Sequence, residues 1–340
     1  MASEQTFVIV GASLAGAKAA ETLRAEGFDG RVVLIGEEAE RPYERPMLSK
    51  EYLRGDKPAS KLYVHEEGFY GDNDIEMLTG TRVTSLDAAA HEITLEDGSR
   101  MPYSRLLLST GATPRRIPVP GAELQGVRYL RRMSDSDALR DAIKEASRVV
   151  VIGAGWIGSE VAASARQLGA EVSVVAPEAV PLERVLGPLL GGVYRDLHAE
   201  QGVDLHLSTQ IEAIVGKDAA QGVRTTNGLV IEGDLVVVGV GVSPRDELAQ
   251  YAGLTLDNGI VVDEFLRTSA PDVFAAGDVA SAWNPMYNRH IRMEHWANAL
   301  NQGQTAARNM LGQNTAYTKL PYFYSDQYDL GMEYNGFAAD

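Results

Sequence analysis

Two copies of a glycine-rich turn, each between an apolar run and an alanine-rich stretch, constrain the fold of this chain most. Residues 11–16 read GASLAG and residues 153–158 read GAGWIG. In such turns the first glycine permits a tight strand-to-helix turn, the next lets the backbone approach a pyrophosphate, and the last brings helix close to strand. The helix N-terminus directs N–H groups and partial positive charge at phosphates. Ser13 replaces the middle glycine in the first copy, a mild departure, and we predict two bound dinucleotides.

The first turn is followed by a complete strand-helix-strand pattern. A helix is predicted over 17–25 and a second buried strand over 31–35, which ends at Gly36 and Glu37. An acid at the tip of this strand accepts hydrogen bonds from an adenosine ribose. We therefore predict that Glu37 contacts the ribose of the first dinucleotide.

The second unit lacks such an acid. Its second strand, over 171–175, ends at Ala176, with neither an acid nor an arginine for a 2′-phosphate at the expected tip. Either Glu178 or Glu183 could take the role of the missing acid. The choice between NADH and NADPH stays open on this pattern, and the acidity favours NADH.

Length and composition predict a soluble enzyme with more than one domain. The chain has 340 residues, 45% of them hydrophobic, which suffices for two cores. No apolar run approaches the roughly 20 residues needed to cross a membrane, and the first strand begins without a signal peptide. We expect a cytoplasmic protein without a membrane partner. The formal net charge of −16 argues against nucleic-acid binding.

The chain contains no cysteine. This absence excludes a redox-active disulfide, thiolate-bound zinc and cysteine-held iron–sulfur clusters within the chain. The six histidines show no metal-binding spacing, so we predict no metal site.

The order of strands predicts that one domain is inserted in another. A strand over 106–109 and a strand over 235–240 each lead into a crossover segment with glycine and proline. A later apolar strand ends at Gly277 and Asp278, which puts a carboxylate at the sheet edge where ligands bind. The predicted fold class is α/β with two Rossmann-like dinucleotide-binding domains. Their bounds are 1–114 with 246–317, and 115–245, and residues 318–340 begin a small C-terminal α+β domain.

Two further segments carry a resemblance to a known family. Residues 41–50 read RPYERPMLSK and residues 294–299 read EHWANA. With the two turns, they resemble the FAD-dependent NAD(P)H:ferredoxin reductases of oxygenase systems, the putidaredoxin and rhodocoxin reductase group, over essentially the whole chain. The resemblance implies that the first domain binds FAD, that the inserted domain binds the nicotinamide nucleotide, and that the electron acceptor is a [2Fe–2S] ferredoxin.

The resemblance also implies site residues. Lys50 lies near the flavin N5 atom, paired with Glu160, and Trp296 lies at the edge where electrons leave; these are the predicted catalytic residues. A buried cation suits a flavin that gains negative charge on reduction. The predicted cofactor-binding residues are Gly11, Ser13, Ala15, Gly16, Glu37, Arg45, Lys50, Val83, Thr110, Gly111, Arg131, Asp278, Trp296, Gly153, Gly155, Ile157, Gly158, Glu160 and Gly241.

The end of the chain departs from the family pattern. Only the opening of the small C-terminal domain is present, and the aromatic segment 320–334 predicts one or two strands without enough partners for a stable sheet. We therefore expect that domain to be incomplete, and partner docking stays in doubt on this ground. The oligomeric state stays open between a monomer and a homodimer.

Two other functions remain open from the residues. One is a thiol-independent NAD(P)H dehydrogenase or oxidase that uses a quinone, a dye or oxygen as acceptor. The other is a sensor that holds FAD structurally and shows no acceptor-dependent turnover. Basic residues such as Arg45 and Arg292 could face an acidic partner protein, although scattered solvated charges explain them equally well.

Overall fold

Two five-stranded parallel sheets form the framework of the computed structural model, which describes residues 5–337. In the first sheet, apolar strands on either side of the first glycine turn are buried on both faces, as parallel sheets require. Its strands, in spatial order, are Val273–Ala275, Arg105–Leu108, Thr6–Val10, Arg31–Ile35 and Ile75–Leu78.

The second sheet repeats this arrangement around the second glycine turn. Its strands, in spatial order, are Asp204–His206, Glu171–Val175, Arg148–Ile152, Leu235–Val238 and Val127–Arg128. The strand Val273–Ala275 follows all of these in sequence, yet it pairs with the first sheet. The predicted α/β fold class with two Rossmann-like sheets is confirmed.

Each glycine turn begins a helix that lies against its sheet. The first helix starts at Leu14, three residues before the predicted start at Ala17. The helix Glu183–Glu200 has non-helical backbone angles at Gly187, just before Pro188. The α-helices are Leu14–Ala25, Glu51–Arg54, Phe69–Asp72, Met133–Glu145, Trp156–Gln167, Glu183–Glu200, Glu247–Tyr251 and Trp296–Met310, with short 3₁₀ helices at Pro46–Ser49, Ala59–Lys61 and Gly277–Val279.

Smaller sheets cover the two parallel sheets and connect them. The two predicted crossover segments pair with each other as antiparallel strands, Ala112–Pro114 with Val242–Pro244. The other small sheets consist of Val83–Asp87, Glu92–Leu95 and Arg100–Pro102; of Ile211–Gly216, Ala220–Thr225 and Val230–Glu232; and of Ile260–Val262, Ala280–Asn284 and Arg289–Arg292.

The aromatic segment near the C-terminus forms a hairpin of the strands Tyr322–Gln327 and Leu330–Asn335. We predicted too few partners for a stable sheet, and the structure supplies the missing partner from another element. Phe323 lies 4.9 Å from Trp156 between ring centroids, and the side chain of Ser325 reaches Glu160 on the same helix. The helix Trp156–Gln167 therefore covers the inner face of the hairpin.

Within residues 5–337 no helix is both long and apolar enough to span a membrane.

The last glycine of each turn packs against the first, as the spacing predicts. A Cβ atom built on Gly16 would lie 2.1 Å from the carbonyl oxygen of Gly11, and one on Gly158 would lie 2.0 Å from that of Gly153. Such distances leave no room for a side chain without moving the backbone. The two turns are thus held in shape by the same close contact.

We expect Gly16→Ala to lower the free energy of unfolding by about 1–3 kcal/mol, because the added methyl group must displace the backbone of Gly11. Gly192→Ala is the matched control, since a Cβ there meets no heavy atom within 4 Å in a helix interior. That control should be neutral or stabilising by about 0.5–1 kcal/mol. Urea unfolding of the two variants, followed by circular dichroism, would contradict the close contact if their midpoints were equal.

Candidate active site

Two adjoining cavities follow the carboxyl end of the first sheet. The larger, of about 650 Å³, lies over the first glycine turn and the strand tip at Glu37. The smaller, of about 240 Å³, lies between the first sheet, the helix Trp156–Gln167 and the C-terminal hairpin. Ser13, Arg45 and Arg131 line both cavities, so the two form one continuous cleft. An elongated cleft of this size suits a dinucleotide.

Most of the predicted site residues line this cleft. They are Gly11, Ser13, Ala15, Glu37, Arg45, Lys50, Val83, Thr110, Gly111, Arg131, Ile157, Glu160, Asp278 and Trp296. The structure places Gly16 and Gly158 behind the turns, where they contact Gly11 and Gly153. At Gly155 and Gly241 a Cβ would meet no heavy atom within 4 Å, so both backbones face open space.

Both glycine turns leave the N-terminus of their helix without a side-chain cap. The N-cap residues are Ser13 and Gly155, both in extended backbone conformation, and neither makes a side-chain capping hydrogen bond. The first N–H groups of the two helices have no partner within their own helix. Each turn can therefore bind a phosphate group.

Glu37 lies at the tip of the strand Arg31–Ile35, between two arginines. Its carboxylate oxygens accept hydrogen bonds from Nη2 of Arg132 at 3.0 Å and Nη2 of Arg245 at 2.6 Å. Burial acts to raise the pKa of Glu37, but the hydrogen bonds and charges of Arg245 and Arg132 outweigh it and lower the pKa. The side chain is ionised at neutral pH and remains about one-third exposed toward the cleft.

The other predicted charged residues of this region are also paired with each other. Nη2 of Arg131 lies 2.9 Å from Oδ2 of Asp278. Nη2 of Arg45 lies 2.6 Å from Oε1 of Glu38, whose other oxygen accepts from the Tyr43 hydroxyl at 2.5 Å. The cleft therefore contains fixed charges of both signs.

A buried ion pair joins the two halves of the site. Nζ of Lys50 lies 3.1 Å from Oε2 of Glu160, and each residue is 4% exposed. Glu160 also accepts hydrogen bonds from the hydroxyls of Ser49 at 2.5 Å and Ser325 at 2.7 Å. Three elements distant in sequence thus converge on one carboxylate.

Aromatic residues form the wall of the smaller cavity. The His295 ring stacks on Phe323 with centroids 4.3 Å apart. Burial lowers the pKa of His295 to about 4, against the opposing charge of Asp278, so the ring is neutral at physiological pH. The indole nitrogens of Trp156 and Trp296 are buried with no hydrogen-bond partner in the described residues. Both donors are available to a ligand with acceptor atoms in this cavity.

The second strand tip differs from the sequence-based expectation. Ala176 is fully buried in the core, so it does not face a coenzyme. The backbone N–H of Ala176 donates a hydrogen bond to the carbonyl of His206, at the end of the neighbouring strand. Glu178 follows the strand tip, and its Oε1 lies 2.8 Å from Nε of Arg184 on the following helix.

Arg292 and Arg45, the two basic residues considered for partner binding, are both paired with acidic side chains. The Arg292 side chain is 6% exposed and lies 2.6 Å from Glu294. Arg45 is committed to Glu38, as described above. Whether these residues face a partner protein or are simply surface charges stays a prediction, and Arg45 lines the cleft itself.

Comparisons with known proteins agree with this geometry. The model of one family, described as pyridine nucleotide-disulphide oxidoreductase, matches residues 5–303. The chain belongs to this family. Its fold and its resemblance to ferredoxin reductases are confirmed, and it is an oxidoreductase of that family without a cysteine of its own.

Individual relatives are ferredoxin reductases of oxygenase systems. The chain is 42% identical to the anthranilate 1,2-dioxygenase system ferredoxin–NAD(+) reductase component of Burkholderia cepacia, over 98% of this chain and 82% of that protein. It is 41% identical to rhodocoxin reductase of Rhodococcus erythropolis, over 98% and 78%. A crystal structure of the covalent putidaredoxin reductase–putidaredoxin complex superimposes with a TM-score of 0.95 at 37% identity, covering 98% of this chain and 81% of that one.

Sequence reasoning missed several residues of the site. The hydroxyls of Ser49 and Ser325 and the ring of His295 were present in the quoted segments, but nothing marked them as part of it. Trp156 lies between the second and third glycines of the second turn, a place where the turn itself requires no particular side chain. A residue of its size there indicates a contact with another element. The arginine partners of Glu37 are 95 and 208 residues away in sequence, so no local pattern could indicate them.

We expect Lys50→Met to destabilise the protein by about 3–5 kcal/mol, because the Glu160 carboxylate would stay buried without its cation. The double variant Lys50→Met/Glu160→Gln should recover roughly half or more of that loss, since the buried charge is gone. Lys57→Met is the control, because Lys57 pairs with Glu51 at an exposed site and should cost about 1 kcal/mol or less. Equal losses for the two lysines in urea unfolding would show that the Lys50 pair is not buried as described.

Proposed function

We propose that this protein is a flavoprotein NADH:ferredoxin reductase that supplies electrons to an oxygenase system. The cleft of the first unit would hold FAD, the second unit would hold NADH, and a [2Fe–2S] ferredoxin would be the electron acceptor. The observation that carries this proposal is the single cleft in which the first glycine turn, the buried Lys50–Glu160 pair and the helix of the second turn meet. The Burkholderia cepacia relative is named as a ferredoxin–NAD(+) reductase component of a dioxygenase system, which supports the proposal. The protein acts in the cytoplasm, as a monomer or a homodimer.

In this proposal the domain bounds follow the two sheets. Residues 1–114 and 246–317 bind FAD, residues 115–245 bind the nicotinamide nucleotide, and 318–340 begin the C-terminal domain. The hairpin in this last segment supplies Phe323 and Tyr324 to the smaller cavity. It therefore belongs to the wall of the active site.

The residues of the cleft fit FAD. The open turn at Ser13 would hold the pyrophosphate, and the ionised Glu37 would accept the hydroxyls of the adenosine ribose. Asp278 would accept a ribitol hydroxyl, and the unpaired indole N–H of Trp296 would donate to the flavin. Lys50 would present a buried positive charge to the part of the ring that becomes electron-rich.

Bound FAD would accept a hydride, which carries two electrons and one proton, and release the electrons singly to two ferredoxins with a net release of one proton. The chain aligns the donor and the acceptor and excludes water. The neutral His295 and the aromatic walls keep the smaller cavity dry, and Lys50 favours the reduced state. No cysteine is present to take the electron pair, so the electrons leave to an external acceptor.

The test is NADH-driven reduction of cytochrome c by the FAD-loaded protein, with and without a [2Fe–2S] ferredoxin. A large ferredoxin-dependent increase supports the proposal. Fast flavin reduction without that increase would make a quinone, a dye or oxygen the acceptor. Slow flavin reduction and no turnover would make the protein a sensor.

The two turns allow a matched pair of variants, Ser13→Asp and Gly155→Asp. Aspartate is a favourable N-cap residue, so both helices should still fold. Its charge repels a pyrophosphate, so Ser13→Asp should lose most bound FAD, while Gly155→Asp should keep FAD and raise the KM for NADH about tenfold or more. Flavin absorbance and steady-state kinetics report the two effects. The assignment of the turns would be reversed if Gly155→Asp lost FAD and Ser13→Asp kept it.

The coenzyme preference rests on the pair between Glu178 and Arg184. The ion pair with Glu178 keeps Arg184 from binding a 2′-phosphate, and the Glu178 charge repels that phosphate. The protein should therefore use NADH more efficiently than NADPH. Glu178→Gln removes that repulsion and frees Arg184, and it should shift the ratio of kcat/KM values toward NADPH about tenfold. The double variant Glu178→Gln/Arg184→Gln should return the ratio toward its original value. An unchanged ratio in the single variant would remove this pair from the coenzyme site.

A further inference from the structure

Behind Glu160, away from Lys50, three buried polar side chains form a continuous series. Ser325 and Gln327 lie on the inner strand of the C-terminal hairpin, and His198 lies on the helix Glu183–Glu200; each is 1% exposed. Oγ of Ser325 lies 2.7 Å from Oε1 of Glu160, and Nε2 of Gln327 lies 3.3 Å from that hydroxyl. Nε2 of His198 lies 2.8 Å from Oε1 of Gln327. Nothing in the function proposed above uses these residues.

With the Gln327 amide oxygen facing His198, as the structure places it, each hydrogen bond in the series has a defined direction. The amide oxygen of Gln327 can only accept, so His198 must donate to it from Nε2. The amide nitrogen of Gln327 then donates to the Ser325 hydroxyl, which in turn donates to Glu160. The other ring nitrogen of His198 lies 3.4 Å from the Tyr328 hydroxyl, which is able to donate to it. All of the donors therefore point toward the same carboxylate.

Such a one-way series strengthens each of its bonds, because every donor is polarised by the donor behind it. The Glu160 carboxylate receives the series at Oε1, while Ser49 and Lys50 donate to Oε2. Burial lowers the pKa of His198, and the hydrogen bond to Gln327 only partly opposes this effect. A neutral ring has one N–H to donate, which matches the direction described above.

We propose that Ser325, Gln327 and His198 are positioning residues that hold Glu160 as an anion at a fixed place beside Lys50, and thereby set the reduction potential of the bound flavin. This inference rests on the proposed FAD site. The Glu160 charge offsets part of the Lys50 charge. A change that loosens the hydrogen bonds to Glu160 therefore leaves more of the Lys50 charge uncompensated, and the site becomes more positive. A more positive site favours the reduced flavin.

Ser325→Ala tests the last link of the series. It leaves Oε1 of Glu160 buried without a donor, so the carboxylate is held less firmly beside Lys50 and offsets less of the Lys50 charge. We expect the equilibrium constant for reduction of the bound flavin to rise about threefold, or about 15 mV for a two-electron couple. Glu160→Gln should raise it about tenfold, or about 30 mV. In the double variant the Ser325→Ala effect should vanish, because no anion remains to be held.

The remote link is tested by His198→Leu. Without His198 the Gln327 amide is free to turn its oxygen toward Ser325, which can then donate to Gln327 instead of Glu160. We expect the equilibrium constant for flavin reduction to rise, as for Ser325→Ala, but by a smaller factor. Ser136→Ala is the matched control, because Ser136 is a fully buried serine that donates to the Leu48 carbonyl and has no contact with Glu160. It should leave the potential unchanged.

A second readout does not need the flavin. In protein stripped of FAD, the infrared carboxylate stretch of Glu160 can be isolated by subtracting the spectrum of the matching Glu160→Gln variant. This stretch should shift in Ser325→Ala, which loses a hydrogen bond to the carboxylate, and stay unchanged in Ser136→Ala. Ser325→Cys, with a weak donor of similar size, gives the same comparison if Ser325→Ala does not fold. Failure to bind FAD would overturn the proposed function alone. Potentials and infrared bands of Ser325→Ala equal to those of Ser136→Ala would overturn this inference alone.

Discussion

The buried pair of Lys50 and Glu160 is the interaction on which the site depends. Lys50 follows a short 3₁₀ helix whose Leu48 belongs to the apolar core of the second sheet, and Glu160 lies on the helix that begins at the second glycine turn. Removing two charges from water costs several kcal/mol per ion, and an isolated pair rarely recovers that cost. Here the hydroxyls of Ser49 and Ser325 satisfy the carboxylate further. The main effect of the pair is therefore to fix the position of a buried charge between the two glycine turns.

The two glycine turns show how one local structure serves two ligands. Both have the same contact between the first and last glycines and an uncapped helix N-terminus. They differ two residues after the next strand, where the first unit has Glu37 and the second has Pro177. The first unit thus carries an acid held ionised by two arginines, while in the second unit Glu178 pairs with Arg184 of the following helix.

How far the sequence predicts the site depends on how local each contact is. The turns, their helices and Glu37 were predictable because strand, glycine and acid are adjacent in sequence. The pairing of Lys50 with Glu160 was predictable only through the family resemblance, since 110 residues separate them. The burial of Ala176 was not predictable, because the pattern of apolar residues along a strand does not show which residue is the last one in the core. The series from His198 to Ser325 depends on how a helix and a hairpin pack, which no short pattern records.

The central claim is that a flavin in the first unit receives a hydride from a nicotinamide held by the second unit. Rapid mixing of the FAD-loaded protein with NADH in the absence of oxygen tests it most directly. The account predicts that the flavin absorbance bleaches in a single turnover, and that NADH deuterated at the transferred position slows this bleaching. Rapid bleaching should persist with Ser136→Ala and be lost with Gly155→Asp at the same NADH concentration. A flavin that stays oxidised in the original protein, or bleaches equally fast in Gly155→Asp, would contradict the claim.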